Sequence, residues 1–184
     1  MTKTRSRLNP NARQQHLLLM AIQAYARLGV ERAGHGDVAK LAHVSTATVF
    51  NYFPSRDALT KRVFLHVRDV FMTMFDNLQS QPVMSKYDLI HLVAHYFDRV
   101  IDENPDVIKV FLNWSAAFSD KVRPTYLELQ EDILDRLTQL LDGQYQDARI
   151  ILGSAHIYAQ MKFDRSSPES LERLTERIAT ALSV

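Results

Sequence analysis

Apolar positions recur along this chain at the three-and-four spacing of a single helical face. In the first segment Leu18, Ala21, Ile22, Tyr25 and Leu28 keep that rhythm behind an Asn9-Pro10 start signal, and Gly29 predicts the stop. A short helix is predicted from about Gly36 to Ala42, with Val38, Ala39, Leu41 and Ala42 inward. Ser45 is placed to cap a second short helix, ending near Tyr52, by accepting a backbone N–H. Phe53-Pro54-Ser55 then breaks the chain before a long helix from Arg56 to about Gln79. Beyond Ser80-Gln81-Pro82, further helices are predicted at about 85–103, 105–116, 123–142, 146–163 and 167–182. Their starts are marked by Ser85, Asn104-Pro105, Arg123-Pro124, Asp147 and Ser167-Pro168. The expected fold is all-α with about nine helices. No internal repeat or long linker interrupts it, and the long fourth helix is expected to tie the two parts into one body.

Composition narrows the chemistry. The absence of cysteine excludes disulfides, thiolate metal sites and a cysteine nucleophile. Five glycines and six prolines in 184 residues supply little turn chemistry for a many-stranded sheet, and no phosphate-cradling glycine loop is present. Asp, His or Gln cuts every apolar run well short of a bilayer span. The basic start at Lys3, Arg5 and Arg7 precedes only six consecutive apolar residues, Leu17 to Ile22, too few for a secretory core, so a cytoplasmic protein without a membrane partner is expected.

The overall charge of +1 hides an asymmetry: residues 1–62 carry ten Lys/Arg against three Asp/Glu, and the remainder is net −6. A basic first third joined to an acidic remainder suggests that the N-terminal part meets a polyanion. The two short helices and their tight turn describe a helix-turn-helix, whose second helix enters the major groove of double-stranded DNA. On that helix Thr46, Ala47 and Asn51 suit base edges, through hydroxyl, methyl and carboxamide groups. Ser45, Thr48, Tyr52 and Arg56 suit phosphate oxygens, which fix register without reading sequence. His35 could donate to a phosphate or order the turn from Gly34 to Gly36.

The stretch from Gly34 to Ala39 and the run Val44-Ser45-Thr46-Ala47-Thr48-Val49-Phe50-Asn51-Tyr52-Phe53-Pro54-Ser55-Arg56-Asp57-Ala58-Leu59 resemble the DNA-binding domain of the TetR family. Within that family, Phe50-Asn51-Tyr52-Phe53-Pro54 and Gly34-His35-Gly36 are most similar to the quorum-sensing master regulators of vibrios, the HapR/LuxR type. Trp114-Ser115-Ala116, the segment from Asp120 to Pro124, and Asp164-Arg165-Ser166-Ser167 extend the likeness thinly over the chain. The resemblance implies a TetR-like arrangement: residues 1–55 as a three-helix DNA-binding head with a basic arm at 1–9, and 56–184 as a dimerisation and ligand domain. It implies a homodimer on a partly palindromic operator, with Arg5 and Arg7 of the arm reaching into a narrow minor groove, where negative potential attracts guanidinium. Around Asp142-Gly143-Gln144 the chain is shorter than the subgroup.

The last two helices are the expected dimer interface, through Ile150, Ile151, Ala155, Ile157 and Tyr158 on one and Leu171, Leu174, Ile178 and Leu182 on the other. The C-terminal part is rich in aromatics and Met, a composition that forms plain core or leaves an apolar cavity. With the resemblance, an apolar small-molecule ligand is expected near Phe75, Phe97, Phe111, Trp114 and Tyr126, with Gln130 or His156 as polar anchors. No cofactor is expected. A rival reading uses His91 and His95, four apart on one face with Asp88 and Asp98 a turn away, as a metal-binding sensor or an enzyme site. No HExxH or GxSxG pattern supports catalysis, and the expectation is that the protein is not an enzyme.

Overall fold

The computed structural model describes residues 9–82 and 85–183. Among the described residues it forms nine helices: α1 Pro10–Leu28, α2 His35–Ala42, α3 Thr46–Tyr52, α4 Arg56–Gln79, α5 Lys86–Glu103, α6 Pro105–Ser115, α7 Arg123–Leu140, α8 Tyr145–Phe163 and α9 Pro168–Leu182. Packing groups the chain into two compact units, Met1–His66 and Val67–Val184, and the chain passes from one to the other within α4.

In the first unit α1 packs on α2 and α2 on α3. Their apolar faces meet in a core that includes Leu17, Ala21, Tyr25, Val38, Val49 and Phe53, joined by Leu59 and Val63 from the first turns of α4. The Tyr25 hydroxyl lies 2.9 Å from Thr60 Oγ1, tying α1 to α4. Burial raises the Tyr25 pKa, against a smaller opposite effect of the Thr60 hydrogen bond, so the phenol stays neutral. Gly29 ends α1 at φ 79°, a left-handed conformation that costs glycine nothing. His43 takes the same role after α2 at φ 53°. The Val44 N–H then closes onto Ala39 O at 3.0 Å, which turns the chain within three residues into α3.

The second unit packs α5 against α9, α6 and α8, α7 against α6 and α8, and α8 against α9. Its largest fully buried side chains include Trp114, Phe75, Phe111 and Leu129. Ser85 and Ser167 cap their helices as the sequence predicts, accepting from Asp88 N at 3.1 Å and Ser170 N at 3.3 Å. Two expected start signals act differently. Asn104 makes no side-chain cap bond, and Asp147 lies in the first turn of α8, where it pairs with Lys86 at 2.5 Å. The seventh helix stops at Leu140 rather than 142 because Asp142 and Gly143 are both left-handed, at φ 53° and 85°.

Candidate nucleic-acid interface

Helix α3 is only seven residues long and depends on its ends and its packing. Ser45 Oγ accepts the Thr48 N–H at 3.1 Å and lies 2.9 Å from Thr48 Oγ1, so both hydroxyls that the sequence assigns to phosphate also serve the cap. Val49 and, just beyond the helix, Phe53 are buried and anchor its inner side. Thr46, Ala47, Phe50 and Asn51 are exposed, whereas Thr48 and Tyr52 are half-buried on the flanks. The three side chains expected to read bases thus share one solvent-facing surface.

That surface holds a side chain which the sequence reading passes over. At about 100° per residue, Phe50 falls between Thr46 and Ala47, at the middle of the exposed face, and it is 46% exposed. Its position three and four residues after those side chains is the signal that would have found it.

Arg56 is engaged within the protein. Its Nη2 donates to Val30 O at 3.1 Å and also to Glu31 O, fastening the loop after α1 to the start of α4. His35, open between two roles in the sequence, is 8% exposed and bonds through Nε2 to Phe53 O at 2.7 Å, so it orders the interior of the first unit. Arg5 and Arg7 lie outside the described residues.

In the second unit an apolar cavity of about 70 Å³ is lined by residues that include Phe71, Met74, Phe75, Phe97, Phe111 and Leu137. The structure brings Phe75, Phe97 and Phe111 together on the cavity wall, and Trp114, Tyr126, Gln130 and His156 lie off it. The His156 and Tyr126 rings pack on Phe111 at 4.8 Å and 5.9 Å between centroids, one layer behind the lining. Gln130 Nε2 is spent on the Tyr126 hydroxyl at 3.3 Å, and Trp114 is fully buried. Sequence spacing placed these residues in the right unit but could not tell a wall from the layer behind it.

On the face expected to compete as a metal site, both carboxylates are engaged by internal pairs and His91 lies beside a third. Asp88 accepts from Ser85 Oγ at 2.6 Å, Asp98 accepts from Lys162 and from the Tyr158 hydroxyl at 2.5 and 2.9 Å, and His91 Nε2 lies 3.3 Å from Glu176 Oε2. Burial alone would lower the Lys162 pKa, but hydrogen bonds to Asp98 and Asp102 outweigh it and the net shift is upward. Among the described residues no group of three or more His, Asp or Glu is placed to hold a metal ion.

Helix α8 divides the residues expected at a dimer interface. Ile150 and Ile157 are 47% and 51% exposed, whereas Ile151 is buried and Ile151, Ala155 and Tyr158 line the cavity. The reason is the helical period: positions 150 and 157 share one face, and 151, 155 and 158 share another.

The fold and this surface define a helix-turn-helix protein whose first unit presents a short helix to solvent through Thr46, Ala47, Phe50 and Asn51. Residues 17–63 match the family model of bacterial regulatory proteins, tetR family. The chain is 33% identical over 125 residues to the HTH-type transcriptional regulator LuxR of Vibrio harveyi, an alignment spanning 68% of this chain and 60% of that protein. Over residues 17–63 the chain carries a TetR-family domain, and it spans about 60% of the length of the curated relative it matches. Similar folds include a TetR-like transcriptional regulator from Rhodococcus sp. RHA1, with a TM-score of 0.78, 16% identity and coverage of 94% and 96% of the two chains. The regulator FadR from Bacillus subtilis, solved in complex with stearoyl-CoA, matches with a TM-score of 0.70, 14% identity and coverage of 92% and 97%. Among the described residues no helix is long and apolar enough to cross a membrane.

Proposed function

We propose that the protein is a transcriptional regulator that binds double-stranded DNA sequence-specifically through α3 and acts as a homodimer, rather than as an enzyme. The observation that carries the reading is the shared exposure of Thr46, Ala47 and Asn51 on the second helix of a helix-turn-helix, in the part of the chain that holds the basic excess. Asn51 would read a base edge and the hydroxyls of Ser45, Thr48 and Tyr52 would set register on phosphates. Arg56 keeps donors beyond those it gives to the loop after α1, and Arg5 and Arg7 would reach the minor groove.

A single α3 reads too few base pairs for selectivity, so two copies on a partly palindromic site are part of the proposal. Ile150 and Ile157 on α8, with Leu182 at the end of α9, supply the apolar surface for that pairing. The cavity lined by Phe97 and Phe111 would take an apolar ligand, and the aromatic and aliphatic side chains of its wall support that class. At about 70 Å³ the cavity must widen to admit one. Such a ligand would tune DNA affinity only by binding two arrangements of the dimer unequally. The resemblance of Gly34-His35-Gly36 and Phe50-Asn51-Tyr52-Phe53-Pro54 to the vibrio quorum-sensing regulators supports a place in quorum sensing.

A gel shift at two salt concentrations tests the reading, because a protein that neutralises several phosphates loses affinity steeply as salt rises. Binding that falls by an order of magnitude or more between low and physiological salt is expected, and a folded protein that shifts no duplex at low salt would overturn the proposal.

A further inference from the structure

We infer that Phe50 is a specificity-determining residue that reads the C5-methyl group of a thymine, and that His35 is the positioning residue that holds it. The inference rests on the DNA-binding reading above and extends it to a side chain that nothing so far assigns.

Phe50 stands out on its own face. Its exposed neighbours on α3 are Thr46, Ala47 and Asn51, and among them it is the one large apolar ring, 46% exposed. The ring carries no donor or acceptor, so it cannot take a phosphate or a base-edge hydrogen bond. In the major groove the one apolar group on offer is the thymine methyl. A phenyl edge at the centre of the recognition surface therefore has a single complementary target there.

The ring is also fixed in place. His35 stacks on Phe50 with ring centroids 3.9 Å apart and planes within 6° of parallel. The imidazole is itself anchored, since Nε2 donates to Phe53 O at 2.7 Å and the residue is 8% exposed. One face of Phe50 is thus covered by a hydrogen-bonded ring, and the rest of it is open to solvent. This arrangement removes rotamer freedom before binding, so the contact pays less ordering entropy when it forms.

The test uses the full chain and a duplex obtained by selection from a random pool, with each thymine replaced in turn by deoxyuridine, which lacks only the methyl. The unmodified protein should lose about fourfold in affinity per half-site at one thymine position, the equivalent of burying one methyl-sized group. Phe50→Ala should bind the thymine duplex more weakly and lose that preference for thymine over deoxyuridine. His35→Gln keeps a donor for the Phe53 carbonyl but removes the stacking ring, and it should reduce the preference while the protein stays folded and bound. A merely structural role would lower affinity for both duplexes alike. Binding by the unmodified protein that ignores every methyl, or an unchanged preference in Phe50→Ala, overturns this assignment alone. Failure to bind any duplex overturns the DNA-binding reading and the assignment with it. The deoxyuridine scan of the unmodified protein stands even if a variant does not fold.

Discussion

His156 illustrates at residue scale how burial sets chemistry in the second unit. Burial lowers its pKa, opposed in part by the hydrogen bond from Nδ1 to Leu152 O at 2.8 Å. The folded protein therefore holds the imidazole neutral at pH values where the unfolded chain, titrating near 6.5, already takes up a proton. Stability drains as pH falls through 6.5 and stops falling below the folded value. The melting temperature should decline more steeply between about pH 7 and 5 in the unmodified protein than in His156→Gln. Equal slopes would show that the ring is solvated. His35 is the residue-scale support of the first unit: His35→Ala leaves the Phe53 carbonyl without its partner and should cost about 1–3 kcal/mol in denaturant unfolding, while a loss within error would place His35 outside the core. The burial of His35 could not be read from sequence, where a histidine after glycine looks alike on a surface and in a core.

At the scale of elements, helices whose ends are written in short-range chemistry were the legible ones. Asn9, Ser45, Ser55, Ser85 and Ser167 each accept the backbone N–H three residues on, and each start was predicted at the right place. The end of α7 was less so: Gly29 announces its own positive φ, but at Asp142 a non-glycine residue takes that conformation and leaves no periodic trace. The cap matters most for α3, which has seven residues and one buried side chain within its span. Ser45→Ala should destabilise by about 1 kcal/mol and raise amide hydrogen exchange in α3 before the rest of the first unit. Uniform exchange throughout would mean that packing alone holds the helix. Faces were legible only where the period was clean: α8 is apolar on two sides, and sequence alone could not say that Ile150 and Ile157 point outward while Ile151 lines the cavity.

At the scale of the molecule, the charge split and the helix order were plain in the sequence, whereas the extent of each packed unit was not. Pro54 marks a helix boundary, but Leu59 and Val63 beyond it belong by packing to the first unit. Likewise, an inventory of aromatics named three of the cavity's rings, Phe75, Phe97 and Phe111, but not the whole wall, which depends on which rings face inward from four different helices. The proposed pairing has its own test. Ile157→Asp places a charge on an exposed apolar face and should shift sedimentation from dimer to monomer, with operator affinity falling at least tenfold while circular dichroism stays unchanged. A variant that still sediments as a dimer would put the interface elsewhere.

Selection of bound sequences from random duplex DNA by the full chain tests the central claim most directly. The account predicts enrichment of a partly palindromic site with half-sites about one helical turn, or a multiple of it, apart. A pool that stays random through repeated rounds at low salt, with the protein folded throughout, would contradict it.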